Sequence, residues 1–410
     1  MGKNSRKVRP LPRAKEKKEG DQSEDQAVKK SGKGKRDEEI DVKFVDDLLF
    51  TDCKLVNMAI YAVLEAPQEL YFGSHTERGL NVLEKVTLQV EIGEGENTKY
   101  ITIEKPFYSP TKQRGIERRA IAYSKVRASS GAEMPYYKFF NLSIDVTNTY
   151  PNGKPDPKDI LTFLWGATWT KPTLYLRGRV GYGGGVAIQP RSVLIKRRNR
   201  VEYRFFERVE KEVREEEEET AVETAQTMWL KEYVEPHVLI PVYRSYTLLG
   251  VKNMEPHAVA YAFLMGLRLA GAGTPKGMDV LEAYWLSKDV KEKVIVVDVS
   301  ASLLPEPVVI SPAILSVQAA LEEFRRKALS VDEERICRGF NNPDEVFNKA
   351  LSEGYCRLIG DTAYRFLRSL AENFAKDYLM NIDAPKIPRV EGTSKEKCEE
   401  EQKTAKETQK

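Results

Sequence analysis

The chain has 410 residues, 41% of them hydrophobic and 31% charged, which is enough for one large domain with insertions or two ordinary ones and excludes disorder throughout. Its 65 basic and 62 acidic residues leave a net charge of only +3, and no apolar run is long enough to span a membrane; the expectation is a soluble, cytoplasmic protein. Four scattered cysteines (Cys53, Cys337, Cys356, Cys398) signal neither a zinc ribbon nor a disulfide framework, and three histidines (His75, His237, His257) leave little for a metal centre or a proton relay, so neither cofactor, metal nor catalytic residue is expected.

Met1 to Arg36 carries 13 Lys/Arg against 5 Asp/Glu and almost nothing apolar, the composition of a disordered basic arm, which is placed at residues 1–40. One core is expected over 41–383, because no Pro/Gly/Ser linker interrupts it, with insertions at about 105–175 and 191–235, a helical C-terminal part at about 311–383 and a disordered tail over 384–410. Leu55 to Leu64 reads as a buried strand, Val82 to Ile92 alternates like a half-exposed one, and Tyr100 to Ile103 follows. Gln113 to Tyr123 has helical composition, weakened by Gly115. Val193 to Phe206 alternates as a strand or hairpin arm beside an acidic run, Glu207 to Glu223, which holds 9 acids against 3 bases. Val238 to Leu249 is a further strand, and Glu255 to Leu269 is a helix with Pro256 in its first turn and Gly271 just past its end. Val280 to Leu286 and Val294 to Val299 read as short strands, and Pro312 to Leu329 and Asp361 to Leu379 as helices. This order suits an α+β fold: a ferredoxin-like core of the RNA-recognition-motif type with inserted lid, hairpin and helical subdomains.

Charge is patchy, and the patches point to nucleic acid. Lys105 to Arg127 has 7 bases against the single acid Glu117, and Lys171 to Arg204 has 9 against Glu202. In the first, Lys112, Gln113, Arg114, Arg118 and Arg119 follow a Ser-Pro turn; on a helix Arg114 and Arg118 share a face, and guanidinium forks bind phosphate oxygens while releasing counterions. In the second, Arg177 and Arg179 precede a glycine-rich stretch (Gly181, Gly183, Gly184, Gly185) around Tyr182, a pattern that lets backbone approach a ligand beside an aromatic ring; Arg191, Lys196, Arg197 and Arg198 follow. Gly271 to Gly277 is a third glycine-rich turn, carrying Lys276. Walker, nucleophile-elbow and H-E-x-x-H patterns are absent, Asp145, Asp156 and Asp159 read as turn and cap residues, and His75 and His237 as structural.

The ordered set formed by Lys112-Gln113-Arg114…Glu117-Arg118, Arg179-Val180…Ala187-Ile188, Tyr233-Val234-Glu235-Pro236 before Leu239-Ile240-Pro241, and the Gly271 to Gly277 loop resembles the large backbone subunit of type I-D CRISPR surveillance complexes. The likeness spans about Lys112 to Leu286. It implies a subunit that binds single-stranded guide RNA (crRNA) without cutting it, polymerises along it, and meets other CRISPR subunits and target DNA in antiviral defence. Many relatives carry a cysteine-rich zinc insertion; Asn141 to Thr173 here contains neither Cys nor His. Two other readings of the same patches are a metal-dependent RNA endonuclease of the related superfamily and an RNA-processing or ribosome-assembly factor. The high charge content with few glutamines leans towards a thermophile.

Overall fold

The computed structural model describes residues 54–383 apart from 73–74, 78–79, 94–97, 143–148, 151–155, 157, 171–172, 191–192, 203–224, 272–276 and 303. The basic arm, the acidic run Glu207 to Glu223, the charged tail, Arg191 and Lys276 lie outside the described residues.

Strand β1 (Leu55–Glu65) organises the rest because it is apolar on both sides. Its even-numbered residues Val56, Met58, Ile60, Ala62 and Leu64 enter one hydrophobic cluster, and Ala59, Tyr61 and Val63 enter another, as the two-residue period of an extended chain requires. A hairpin follows, β2 (Lys85–Ile92) with β3 (Lys99–Pro106), then helix α1 (Pro110–Ala122), short helix α2 (Ile160–Trp165), and strands β4 (Gly166–Thr170), β5 (Thr173–Arg177) and β6 (Val180–Gly184). A long antiparallel arm pairs β7 (Val193–Glu202) with β8 (Ala225–Val234). Then come β9 (Leu239–Gly250), α3 (Glu255–Leu269), β10 (Ile295–Ser300), α4 (Val317–Ala328), α5 (Pro343–Glu353), β11 (Tyr355–Ile359) and α6 (Gly360–Asn373).

The central sheet runs β6-β9-β1-β10-β11, with every neighbouring pair antiparallel. Helices and antiparallel sheets combine in an α+β fold. One face of the sheet packs under α1, α3, α5 and α6 through Ile116, Phe263, Phe347 and Phe366. The other face is closed by Trp285, Val308 and Ile310 and by Ala320 and Phe324 of α4. Tyr61 and Tyr243, 6.1 Å apart between ring centroids, lie beneath that second layer, so this part of the sheet is not an open surface.

Several boundaries differ from the sequence expectation, each for a local reason. The helix expected from Pro312 starts at Val317, where the Ser316 side chain accepts from the Ala319 N–H at 3.4 Å. The preceding turn is held instead by the Lys105 ammonium, which donates to the Pro312 and Ile314 carbonyls at 2.7 and 2.8 Å. The strand expected over Val280 to Leu286 is two short pieces, Asp279–Val280 and Glu282–Ala283. The sequence pattern predicts no strand at β4, β5, β6, β8 or β11 and no helix at α2 or α5. Cys337 and Cys356, whose spacing signals no disulfide framework in the sequence, form a disulfide with Cα atoms 5.8 Å apart; a parallel bridge between Ile336 and Arg357 brings the two segments together. No helix of the described residues is long and apolar enough to cross a membrane.

Candidate nucleic-acid interface

Helix α1 starts at Pro110, whose missing N–H is no loss in the first turn, and buries Gln113, Ile116, Glu117, Ala120 and Ile121 against the core. The remaining face carries Arg114, Gly115, Arg118 and Arg119, and Tyr123 caps the end. The basic segment is thus split by the helical period into an inner and an outer set.

The inner set is a closed polar network. Glu117 accepts from Arg244 Nε at 2.5 Å and from the Tyr182 hydroxyl at 2.7 Å. Gln113 accepts from Arg244 Nη1 at 2.6 Å and donates to the Tyr108 carbonyl at 2.5 Å. Trp165 Nε1 donates to the Tyr182 hydroxyl at 2.7 Å, and the Arg244 guanidinium lies 5.2 Å from the Tyr182 ring centroid. Burial pushes the Tyr182 hydroxyl well above its ordinary pKa, and the Glu117 charge adds to that. Every polar group here answers another, so the network holds α1 to β6 and β9.

Two sequence candidates therefore have structural employment: Gln113 is fully buried, and the Tyr182 hydroxyl is tied from both sides. Arg179 is a third. Its guanidinium pairs with Glu255 on α3 through both nitrogens and donates from Nε to the Phe163 carbonyl at 3.2 Å, leaving the side chain about 10% exposed. Lys112 is half-buried and paired with Glu84 at 2.8 Å. The glycine run serves the same packing: Gly184 and Gly185 have φ of +69° and +88°. A Cβ at Gly185 would collide with the Tyr108 carbonyl and stand 2.7 Å from Gln113 Nε2. These glycines admit the chain's own backbone.

The outer set is different. Arg114 donates to the Trp165 carbonyl at the end of α2, a neutral partner. Arg118 is half-buried; burial first, then the neighbouring Arg114 and Arg119 charges, lower its pKa to about 10, with Asp159 acting against them. Three guanidinium groups thus crowd one another along α1, and a bound anion would relieve that repulsion. Arg119 is exposed, with Nη1 folded back to 3.2 Å from where a Cβ on Gly115 would lie. Arg177 on β5 is exposed and pairs in register with Gly166, next to the Trp165 carbonyl that holds Arg114. Among the described residues neither Arg119 nor Arg177 has an acidic partner within ion-pair distance. The sequence carried no sign of this division, because Glu255 and Arg244 lie 76 and 127 residues from the groups they engage.

No protein-family model and no curated protein matches the sequence. Among solved structures, the chain is similar to a component of a "CRISPR RNA-guided surveillance complex, pre-nicking", with 10% identity over 66% of this chain and 87% of that one at a TM-score of 0.34. It is similar to Thermofilum pendens Csc2 with 14% identity over 82% of this chain and 93% of that one at a TM-score of 0.33. A component of a type IV-B CRISPR complex gives 11% identity over 67% of this chain and all of that one at a TM-score of 0.29. Likeness at this level assigns neither a ligand nor a role to any residue.

Proposed function

We propose that the chain is a guide-RNA-binding backbone subunit of a CRISPR surveillance complex, of the type I-D kind, that binds single-stranded RNA without cleaving it and stacks with further copies along it. The observation that carries the binding reading is the outer face of α1, where Arg114, Arg118 and Arg119 crowd together, with Arg119, and Arg177 beside the Trp165 carbonyl that holds Arg114, having no acidic partner among the described residues. Such an array suits the spaced charges of a phosphate backbone and carries no sequence code. The CRISPR context rests on the sequence resemblance from Lys112 to Leu286. The strand and helix order β1-α1-β6-β9-α3-β10, with sheet order β10-β1-β9-β6, supports an RNA-recognition-type core. Because the second sheet layer covers Tyr61 and Tyr243, the RNA path is assigned to the α1 side and not to the sheet.

The test is binding of labelled RNA across a salt series, followed by light scattering with RNAs of increasing length. For single strands the slope of log K against log salt is roughly −0.7 per phosphate, so engagement of all four guanidinium groups predicts about −2.8. The number of copies bound should grow with RNA length. A slope near zero overturns the RNA reading; one copy at every length overturns the stacking.

A further inference from the structure

Guanidinium groups on phosphates position a strand, but they do not distinguish a single strand from a duplex; that needs surfaces for exposed bases. Tyr182, the aromatic ring the sequence offered, is committed to Glu117 and Trp165. The exposed tyrosines among the described residues include Tyr100, Tyr123, Tyr175 and Tyr284, all more than half exposed. Two of them have other company: Tyr284 lies under Lys291, whose Nζ is 5.3 Å from the ring centroid, and Tyr100 stands opposite Glu91 in the β2–β3 hairpin. The other two each share a face with Arg119 or Arg177. Arg119 and Tyr123 are four residues apart at the end of α1, with the Tyr123 N–H bonded to the Arg119 carbonyl at 3.0 Å. Tyr175 and Arg177 are two residues apart on β5, hence on one side of that strand.

Resting on the RNA-binding reading, we infer that Tyr123 and Tyr175 are base-stacking platforms beside Arg119 and Arg177, and that the ligand is a single strand with unpaired bases. Tyr123 is held for this task. Its ring meets Tyr137 edge to face, with centroids 5.8 Å apart and planes at 79°, and Tyr137 itself packs against the core. A ring braced from the protein side loses little rotamer freedom when a base lands on it. Gly115 belongs to the same device: a side chain there would crowd the Arg119 guanidinium, which uses the space over the helix. Each arginine–tyrosine pair offers a cation for a phosphate and a π-face for a base, a combination indifferent to base identity.

The experiment uses the full chain and three probes: a labelled oligouridylate, the same strand with abasic sites, and a blunt RNA duplex. Tyr123→Ala and Tyr175→Ala should each weaken oligouridylate binding roughly 5- to 100-fold, the range seen when one stacking ring is removed, without changing the salt slope. Tyr123→Phe and Tyr175→Phe should bind like the parent. The abasic strand should bind the parent weakly and be insensitive to Tyr→Ala, and the duplex should bind worse than the single strand. Circular dichroism checks the fold of each variant, and Tyr123→Leu serves where the alanine variant is unstable. If Tyr→Ala variants keep full oligouridylate affinity while Arg119→Ala loses it, or if the duplex binds as tightly as the single strand, the stacking inference is wrong while RNA binding stands. If the parent binds none of the probes, the RNA reading falls and this inference with it.

Discussion

Arg244 meets the inner face of α1 and Arg119 belongs to its outer face; they carry the same charge, yet the fold treats them in contrary ways. Arg244 is buried and answered by Glu117, as Arg179 is answered by Glu255 and Arg357 by Asp298. Arg119 stands in solvent with no acidic partner among the described residues, and Arg177 does likewise. Local charge density does not separate the two kinds, since both occur within the basic segments. The acid supplied from a distant part of the chain does: a buried guanidinium needs a partner to offset desolvation, whereas an exposed one tolerates having none. Basic groups left unanswered on the surface are the ones available to a ligand.

The largest expected effect lies on the buried side. Removing one partner of a fully desolvated pair leaves the other charge uncompensated, at a cost of about 3–5 kcal/mol. Arg244→Met should therefore unfold at much lower denaturant than the parent, because among the described residues Glu117 would keep the Tyr182 and Tyr246 hydroxyls and no cation. Glu117→Gln with Arg244→Met should recover part of the loss. Arg357→Met should behave alike, since that guanidinium reaches Asp298 at 2.6 and 2.8 Å and also the Lys327, Ala328 and Glu306 carbonyls. Unfolding free energies within about 0.5 kcal/mol of the parent for either single variant would erase the distinction between the two sets.

The outer set should show the reverse. Arg114→Ala, Arg119→Ala and Arg177→Ala together should leave stability within about 0.5–1 kcal/mol of the parent, because none of the three pairs with a carboxylate among the described residues. The salt slope for RNA should fall by about 2, at roughly 0.7 per lost phosphate contact. A triple variant that loses its fold but not its RNA affinity would falsify the assignment of the α1 face.

The sequence made parts of this arrangement legible and hid others. β1 announced itself because burial on both faces needs an unbroken apolar run, and α3 because Pro256 and its apolar spacing fix both start and face. The arginines of α1 were visible as a cluster. What sorted them was not: Arg244 and Glu117 meet only because β9 passes beneath α1, and nothing local to Gln113 or Arg179 reveals their burial. The glycines around Tyr182 suggest room for a ligand, but glycine signals close approach without saying what approaches; here it is the Tyr108 and Pro241 carbonyls. Strands β4 and β6 are short and carry glycine at Gly166 and at Gly181, Gly183 and Gly184, so they lack the alternation that exposes a strand, and β5 alternates over only five residues. The cystine needs the Ile336–Arg357 bridge, which is a product of the fold.

His257 extends the comparison to a buried base with no charged partner among the described residues. It sits on α3, 6.3 Å from the Phe347 ring, with Nδ1 lacking a hydrogen-bond partner among the described residues. Burial lowers its pKa to about 4 from the ordinary 6.5. The folded state then binds fewer protons than the unfolded state between these values, so stability is present above pH 6.5 and is lost as pH falls towards 4. His257→Leu should flatten the part of the acid limb that lies in this window. An unchanged pH profile in the variant would show that His257 accepts a proton without cost.

Lys105 is the intermediate case, a buried cation answered among the described residues by carbonyls. Its ammonium holds the Pro312 and Ile314 carbonyls and lines a cavity of about 320 Å³ together with Tyr243, Pro241 and Val309. Desolvation lowers its pKa to about 8 from 10.5. The sign follows from proton counting: between pH 8 and 10.5 the unfolded chain binds the extra proton, so this lysine makes stability rise with pH across that window and weighs fully against folding below 8. Lys105→Met removes that penalty together with two hydrogen bonds. Pro312 is exposed and Ile314 half-exposed, so their carbonyls can turn to water, and the net loss at neutral pH should be only about 1 kcal/mol. Arg244→Met, which strands a carboxylate, should cost several times more. Denaturant titrations at pH 7, 8, 9 and 10 on the parent and Lys105→Met decide it, with the parent expected to gain stability relative to the variant as pH rises through the pKa of about 8. Parallel curves would mean that the two carbonyls compensate the buried charge completely, and then a carboxylate would not be what a buried cation in this fold requires.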